Sequence, residues 1–300
     1  MKISLGPVLY FWDRKTLLDF YARALETPVD IIYLGEVVCS KRRALNAADW
    51  IDLAADIARC GRQVVLSTLT LIEAESEIGY ARNLVERFDG MIEANDYAVL
   101  NMARAQGRDI CAGSSLNIYN SATLETLAQC GLKRWVPPLE MSGESLLSML
   151  QNLARDGDRP RIETEVFSYG RLPLAHSARC FTARFLNRPK DQCEFRCADY
   201  QDGIPLFSQE QQGLFQINGI QTQSFAHCNL LPYWRLLRDA GVDIMRISAS
   251  SPRCLQKIAQ LKNDVTGNTT GIPLAEQDTC NGYWFGEPGM VSLPAVQGNL

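Results

Sequence analysis

Apolar runs rich in β-branched residues alternate along this chain with stretches of helical periodicity. The runs predict strands at residues 3–9, 31–34, 63–69, 91–93, 110–112, 134–136, 163–167, 214–217 and 244–247. The clearest helix between them covers residues 47–60, where Trp50, Ile51, Ala54, Ile57 and Ala58 share one stripe. Asn46 stands at its N-cap with Asp49 three residues on, the spacing of a capping box, and Gly61 follows its end. Residues 16–24, 75–87, 123–130 and 143–155 read in the same way. Strand–helix alternation implies βα units on a parallel sheet, and about six units fit before Phe167. The fold class is therefore α/β, a barrel-like (β/α) architecture of mostly parallel strands. An α/β barrel takes about 250 residues, so residues 1–300 are expected to form a single barrel-like domain. After Tyr169 the pattern loosens. Residues 170–213 hold little periodicity and several turn residues, and irregular chain of that length inside a compact domain needs something to tie it down.

Composition narrows the choice of chemistry. Apolar residues at 46% and charged residues at 21% are ordinary for a globular protein. A formal net charge of −4 gives no bulk attraction to nucleic acid or acidic membranes. The apolar run at the N-terminus is short, carries Gly6-Pro7 and ends at Asp13 with no small-residue cleavage site after it. No apolar run approaches the roughly 18 residues of a membrane helix. The expected compartment is the cytoplasm, where ten cysteines need an account other than disulfides. Burial is the usual fate of a free cysteine. It suits Cys60 and Cys130 at helix ends, and Cys111, Cys228, Cys254 and Cys280, which stand alone.

Three cysteines behave differently. The stretch "HSARCFTARFLNRPKDQCEFRC" carries Cys180, Cys193 and Cys197, with basic residues outnumbering acidic five to three between Arg179 and Tyr200. Cys39, in "DIIYLGEVVCSKRRA", supplies a fourth thiol just after a predicted strand, as Cys180 does. Segments that follow the strands of a parallel sheet gather at its carboxyl end, so these four can meet; Cys111, inside a strand, could point to the same end. Four thiolates hold an iron–sulfur cluster or zinc. Only Cys193 and Cys197 are spaced as a zinc-type pair, and on pattern alone a cluster, a zinc site and no metal all remain open. Directly after Cys39 come Lys41, Arg42 and Arg43. If Ser40 opens a helix, these cations oppose its dipole; the stretch is either a solvated basic turn or a site for an anionic ligand.

The stretches "YFWDRKTLLDFY", "IYLGEVVCSKRR", "QVVLSTLTL", "LNIYNSATL", "EVFSYGRLPLAHSARCFTARFLNRPKDQCEFRC" and "INGIQT" resemble the collagenase-like peptidase family, in its branch for oxygen-independent ubiquinone biosynthesis. The likeness is strongest over residues 2–218, and "CNGYW" at residues 280–284 shares it. It implies a [4Fe–4S] cluster on Cys39, Cys180, Cys193 and Cys197. It also implies an iron–sulfur subunit of a hydroxylase, acting on the ring of a ubiquinone precursor as a heterodimer with a homologous partner, UbiU. A relative in the family hydroxylates tRNA with prephenate as hydroxyl donor, and the carboxylates of prephenate would give Arg42 and Arg43 something to bind. The alternatives are a non-catalytic iron–sulfur scaffold and a peptidase. For the latter the chain offers two histidines, no serine in a nucleophile elbow, no His-Glu-x-x-His, and a His227-Cys228 pair that is adjacent only in sequence.

Overall fold

The computed structural model describes residues 1–154, 161–268, 276 and 279–294. Seven βα-type strands come first: β1 (Lys2–Val8), β2 (Ile31–Leu34), β3 (Gln63–Ser67), β4 (Met91–Ala94), β5 (Ile110–Ala112), β6 (Leu132–Trp135) and β7 (Glu163–His176). Between them run α1 (Arg14–Leu25), α2 (Ala47–Arg59), α3 (Glu75–Arg87), α4 (Tyr97–Ala105), α5 (Ser121–Ala128) and α6 (Gly143–Ala154). Then follow α7 (Phe181–Phe185), β8 (Ile204–Phe207), β9 (Gly213–Asn218), β10 (Gln221–Asn229), α8 (Trp234–Asp239), β11 (Ile244–Ala249), α9 (Arg253–Thr266) and β12 (Thr279–Cys280).

β1 to β7 pair in sequence order, each parallel to the last, and β11 pairs parallel with both β7 and β1. The result is a closed barrel of eight parallel strands with helices outside it. All four residues of β2 are buried, as expected of a parallel strand covered on both faces. The helices pack their apolar stripes onto the outer face of the strands, through Trp50, Ala54 and Ile57 of α2 for example. The expected capping box is present. The Asn46 side chain accepts from the Asp49 amide at 3.0 Å, and the Asp49 carboxylate accepts from the Asn46 amide at 2.9 Å.

Three departures from the sequence pattern bear on the site. No helix begins at Ser40; the chain makes a turn closed by the Arg42 amide on the Cys39 carbonyl at 2.9 Å. β7 does not stop at Phe167. Its first half belongs to the barrel, and its second half leaves the barrel to pair antiparallel with β10. Residues 170–176, read as irregular, are thus strand, continued by a three-stranded antiparallel lobe of β8, β9 and β10. β10 escaped notice because its sequence, QTQSFAHCN, is mostly polar. α4, a nine-residue helix separated from β4 by only Asn95 and Asp96, also lies outside the predicted elements. Arg155, at the end of the helix predicted over residues 143–155, lies outside the described residues.

Candidate functional site

The loop after β2 is folded tightly onto itself. The half-buried Glu36 carboxylate accepts from the amides of Val38 at 2.9 Å and Cys39 at 3.0 Å. Cys180 sits beyond the extended end of β7 and caps α7, its sulfur accepting from the Ala183 amide at 3.4 Å. Short 3₁₀ turns at Lys190–Gln192 and Arg196–Asp199 then present Cys193 and Cys197. Between these two cysteines, Glu194 and Phe195 both adopt left-handed backbone, with φ of 49° and 54°. Such a conformation is costly for residues with a Cβ and concentrates at functional turns.

The two segments meet. Lys41 Nζ donates to the Lys190 carbonyl at 3.0 Å and approaches Asp191 at 3.1 Å. The Cys180 thiol is an electrostatic neighbour of both Cys39 and Cys197, and Cys193 is one of Cys197. All four are partly buried. Burial pushes the Cys39 and Cys197 thiols up, and the Arg42 guanidinium pulls both back. No group of three or more His, Cys, Asp or Glu side chains among the described residues converges on a single-ion position.

Arg42 is not on a solvated turn. It is 4% exposed and runs inward, with Nη1 donating to the Leu9 carbonyl at 2.8 Å and Nη2 to Asn218 Oδ1 at 2.7 Å. Its Nε is buried and has no acceptor in the protein, while its guanidinium neighbours the Cys197 sulfur. Gly219 leaves it room: at φ of +67°, a Cβ there would lie 3.0 Å from Arg42 Nη2. Arg43 is exposed. The remaining cysteines lie elsewhere. Cys60 ends α2 in solvent, Cys111 lies in the barrel interior 3.6 Å from the Tyr33 hydroxyl, and Cys228 and Cys280 are buried register partners on β10 and β12.

Sequence reasoning missed a second feature. Charged side chains line the barrel interior, where Arg246 donates through Nε to Glu165 and through Nη1 to Glu93, each at 2.7 Å. Its guanidinium lies 4.1 Å from the centre of the Tyr33 ring, and the Tyr33 hydroxyl donates to Glu165 at 2.5 Å. Burial alone would raise the Glu165 carboxyl, but Arg246, Arg134 and the hydrogen bonds of Arg246 and Ser4 outweigh it and hold it below its ordinary value. The available signal was a charge in the middle of each strand run: Glu93 in MIEA, Arg134 in LKRW and Arg246 in IMRISA. Above this layer a cavity of about 410 Å³ opens at the barrel mouth, with Arg246 and Glu93 at its base and His176 and Gln221 on one wall.

A model of Peptidase family U32 matches residues 18–257. The chain belongs to this family. Among solved structures, a subunit of a cube-shaped cage designed by fusing symmetric oligomeric domains shares 10% identity at a TM-score of 0.50, over 89% of this chain and 74% of that one. A Thermotoga maritima phospho-2-dehydro-3-deoxyheptonate aldolase gives 9% and 0.49, over 89% and 69%. A U32 peptidase gives 13% and 0.44, over 84% and 94%. The likeness to the cage subunit is one of fold. The U32 membership covers both cysteine-bearing segments.

Proposed function

We propose that this U32 chain is the UbiV-type iron–sulfur subunit of an oxygen-independent ring hydroxylase, acting with UbiU in anaerobic ubiquinone biosynthesis. The observation that carries the reading is the meeting of Cys39 with the segment of Cys180, Cys193 and Cys197, beside a buried Arg42 Nε that lacks an acceptor. The donor set fits a [4Fe–4S] cluster. It consists of four thiols and lies beside a buried cation, Arg42, that offsets the negative charge of thiolate ligation. Cys39, Cys180, Cys193 and Cys197 would hold the cluster, which when bound supplies one-electron chemistry.

The protein's own residues have separate tasks. Glu36 fixes the Cys39 loop through two amides. Arg42 ties that loop to the ends of β1 and β9 and places positive charge beside Cys197. A polar path then leads away from the site: Asn218 Nδ2 donates to the Leu9 carbonyl at 2.7 Å and approaches Gln221 Oε1 at 3.4 Å. Gln221 in turn meets His176 at the wall of the cavity, 3.0 Å away.

The test is the iron and sulfide content of the chain purified without oxygen. The expected result is about four of each per chain, a brown protein, and sharply lower iron on Cys39→Ala, Cys180→Ala, Cys193→Ala or Cys197→Ala, with Cys60→Ala and Cys130→Ala unchanged. A colourless zinc protein, or equal loss on replacing Cys60, overturns it. The family name favours a second reading, peptidase activity. His227 and Cys228 do not supply it as a dyad, because successive strand residues point to opposite faces; His227 stacks on Tyr169, and Cys228 is buried in the core. Hydrolysis of gelatin by the purified chain would establish this reading.

A further inference from the structure

The cavity at the barrel mouth contains none of the four cysteines, yet it shares a wall with them. Leu9 lines it, and the Leu9 carbonyl receives both Arg42 and Asn218; Gln221 and His176 line it from the lobe side. At about 410 Å³ it lies in the size range of small-molecule sites, roughly 300–1,000 Å³. Its position, beyond the carboxyl ends of the strands, is where α/β barrels bind ligands.

Its charge is the informative property. Arg246 is the cation of the base; Glu165 and Glu93 accept from its Nε and Nη1, while its buried Nη2 has no partner in the protein. The other ionisable groups on the lining are Glu140, His176 and Tyr119. Glu140 is exposed at the rim and repels anions. His176 is neutral near pH 7, since burial lowers its pKa to about 4. The tautomer of His176 follows from its neighbours. Gln221 Oε1 accepts from Gln223 Nε2 at 2.6 Å, which leaves Gln221 Nε2 as the donor to His176 Nε2. The proton of His176 is therefore on Nδ1. Polar groups from Asn95, Ser115 and Asn117 face apolar surface from Val136, Leu139 and Phe167 across the same space.

We propose that this cavity is a binding compartment for an uncharged, oxygen-bearing ring ligand, with His176 donating from Nδ1 to a ligand oxygen on the wall nearest the cysteines. A carboxylate is disfavoured, because the lining carries two carboxylates, Glu93 and Glu140, against the single guanidinium of Arg246; the unpartnered Arg246 Nη2 is a donor to a neutral ligand oxygen. The inference rests on the hydroxylase reading only for the ring's role as substrate; the compartment and its charge preference stand without it.

The test titrates the full-length chain with p-cresol and with benzoate, followed by ligand-observed NMR, on protein with iron and on protein stripped of it. p-Cresol is expected to bind saturably in both preparations and at least tenfold more tightly than benzoate. Leu139→Trp, which fills the cavity from a partly exposed loop position, should weaken p-cresol at least tenfold. His176→Phe should weaken it about threefold to tenfold, the value of one neutral hydrogen bond, with circular dichroism verifying that both variants fold. Benzoate binding as tightly as p-cresol, p-cresol binding indifferent to Leu139→Trp, or no saturable binding overturns the proposal. A chain that carries no iron when purified without oxygen, yet binds p-cresol, would refute the cluster reading alone and leave this proposal standing.

Discussion

At the scale of single residues, Arg42 and Arg43 look equivalent in sequence and are opposites in structure. Arg42 is buried on two protein acceptors beside the cysteines, and Arg43 is in solvent. Hydrogen bonds to charged groups are worth about 1.5–3 kcal/mol each. Arg42→Ala is therefore expected to lower unfolding free energy by roughly 3 kcal/mol and to reduce bound iron. Arg43→Ala should stay within about 0.5 kcal/mol, as surface changes do. Urea denaturation and iron analysis of the two variants check this. If an anionic donor such as prephenate does meet the basic turn, Arg43 is the residue free to receive it, and Arg43→Ala should raise the donor concentration needed for hydroxylation without touching iron. His176 gives a pH prediction. Burial lowers its pKa from 6.5 to about 4, so the unfolded chain takes up the proton first as pH falls. Its contribution to stability is full above pH 6.5 and declines as pH drops toward 4, by at most roughly 3 kcal/mol. His176→Phe should flatten that part of the stability–pH curve; an unchanged slope would show that His176 is not held neutral.

At the scale of elements, the site depends on how strands end. Gly35 follows β2 with φ of +111°, and a Cβ there would stand 2.2 Å from the Ser67 carbonyl oxygen of β3. Only glycine lets the loop pass that close and still deliver Glu36 and Cys39. Gly35→Ala is expected to cost about 2 kcal/mol or more, from strain and clash together, and to lower iron loading although no ligand has changed. Normal iron and an unshifted thermal midpoint would refute it. β7 performs the corresponding task on the other side. Gly170, at φ of +127° and packed against Ser248, marks where it turns from parallel barrel strand to antiparallel lobe strand, and so carries Cys180 over the barrel mouth.

At the scale of the whole molecule, the lobe between β7 and β10 is unlike the barrel. Phe181, Phe185, Phe195, Phe207 and Phe215 are all exposed on it, Phe185 at 62%. Aromatic side chains are enriched at protein interfaces, and if the chain pairs with UbiU as proposed, this lobe is the surface expected to carry the contact. Co-expression followed by size-exclusion chromatography should yield a complex that Phe185→Asp weakens at least tenfold; a variant that still co-elutes fully would place the interface elsewhere. Among the described residues no helix is long and apolar enough to cross a membrane.

The barrel was legible in the sequence because periodicity is local: β2, β5 and α3 begin and end where the pattern put them. The four cysteines stood out for a related reason: three crowd one short basic segment, and Cys39 follows a predicted strand, both matters of neighbouring residues. What the linear pattern could not carry was direction and depth. A turn at Ser40 in place of a helix sends Arg42 inward, because the Leu9 carbonyl and Asn218, distant in sequence, wait there as acceptors. The polar strand β10 is held by pairing with β7 and β9, not by an apolar face of its own. The interior charges Glu93, Glu165 and Arg246 come from three strands and are tolerable only because barrel closure makes them partners. A buried charge is stable only when paired, and pairing between distant strands is decided by the tertiary structure alone.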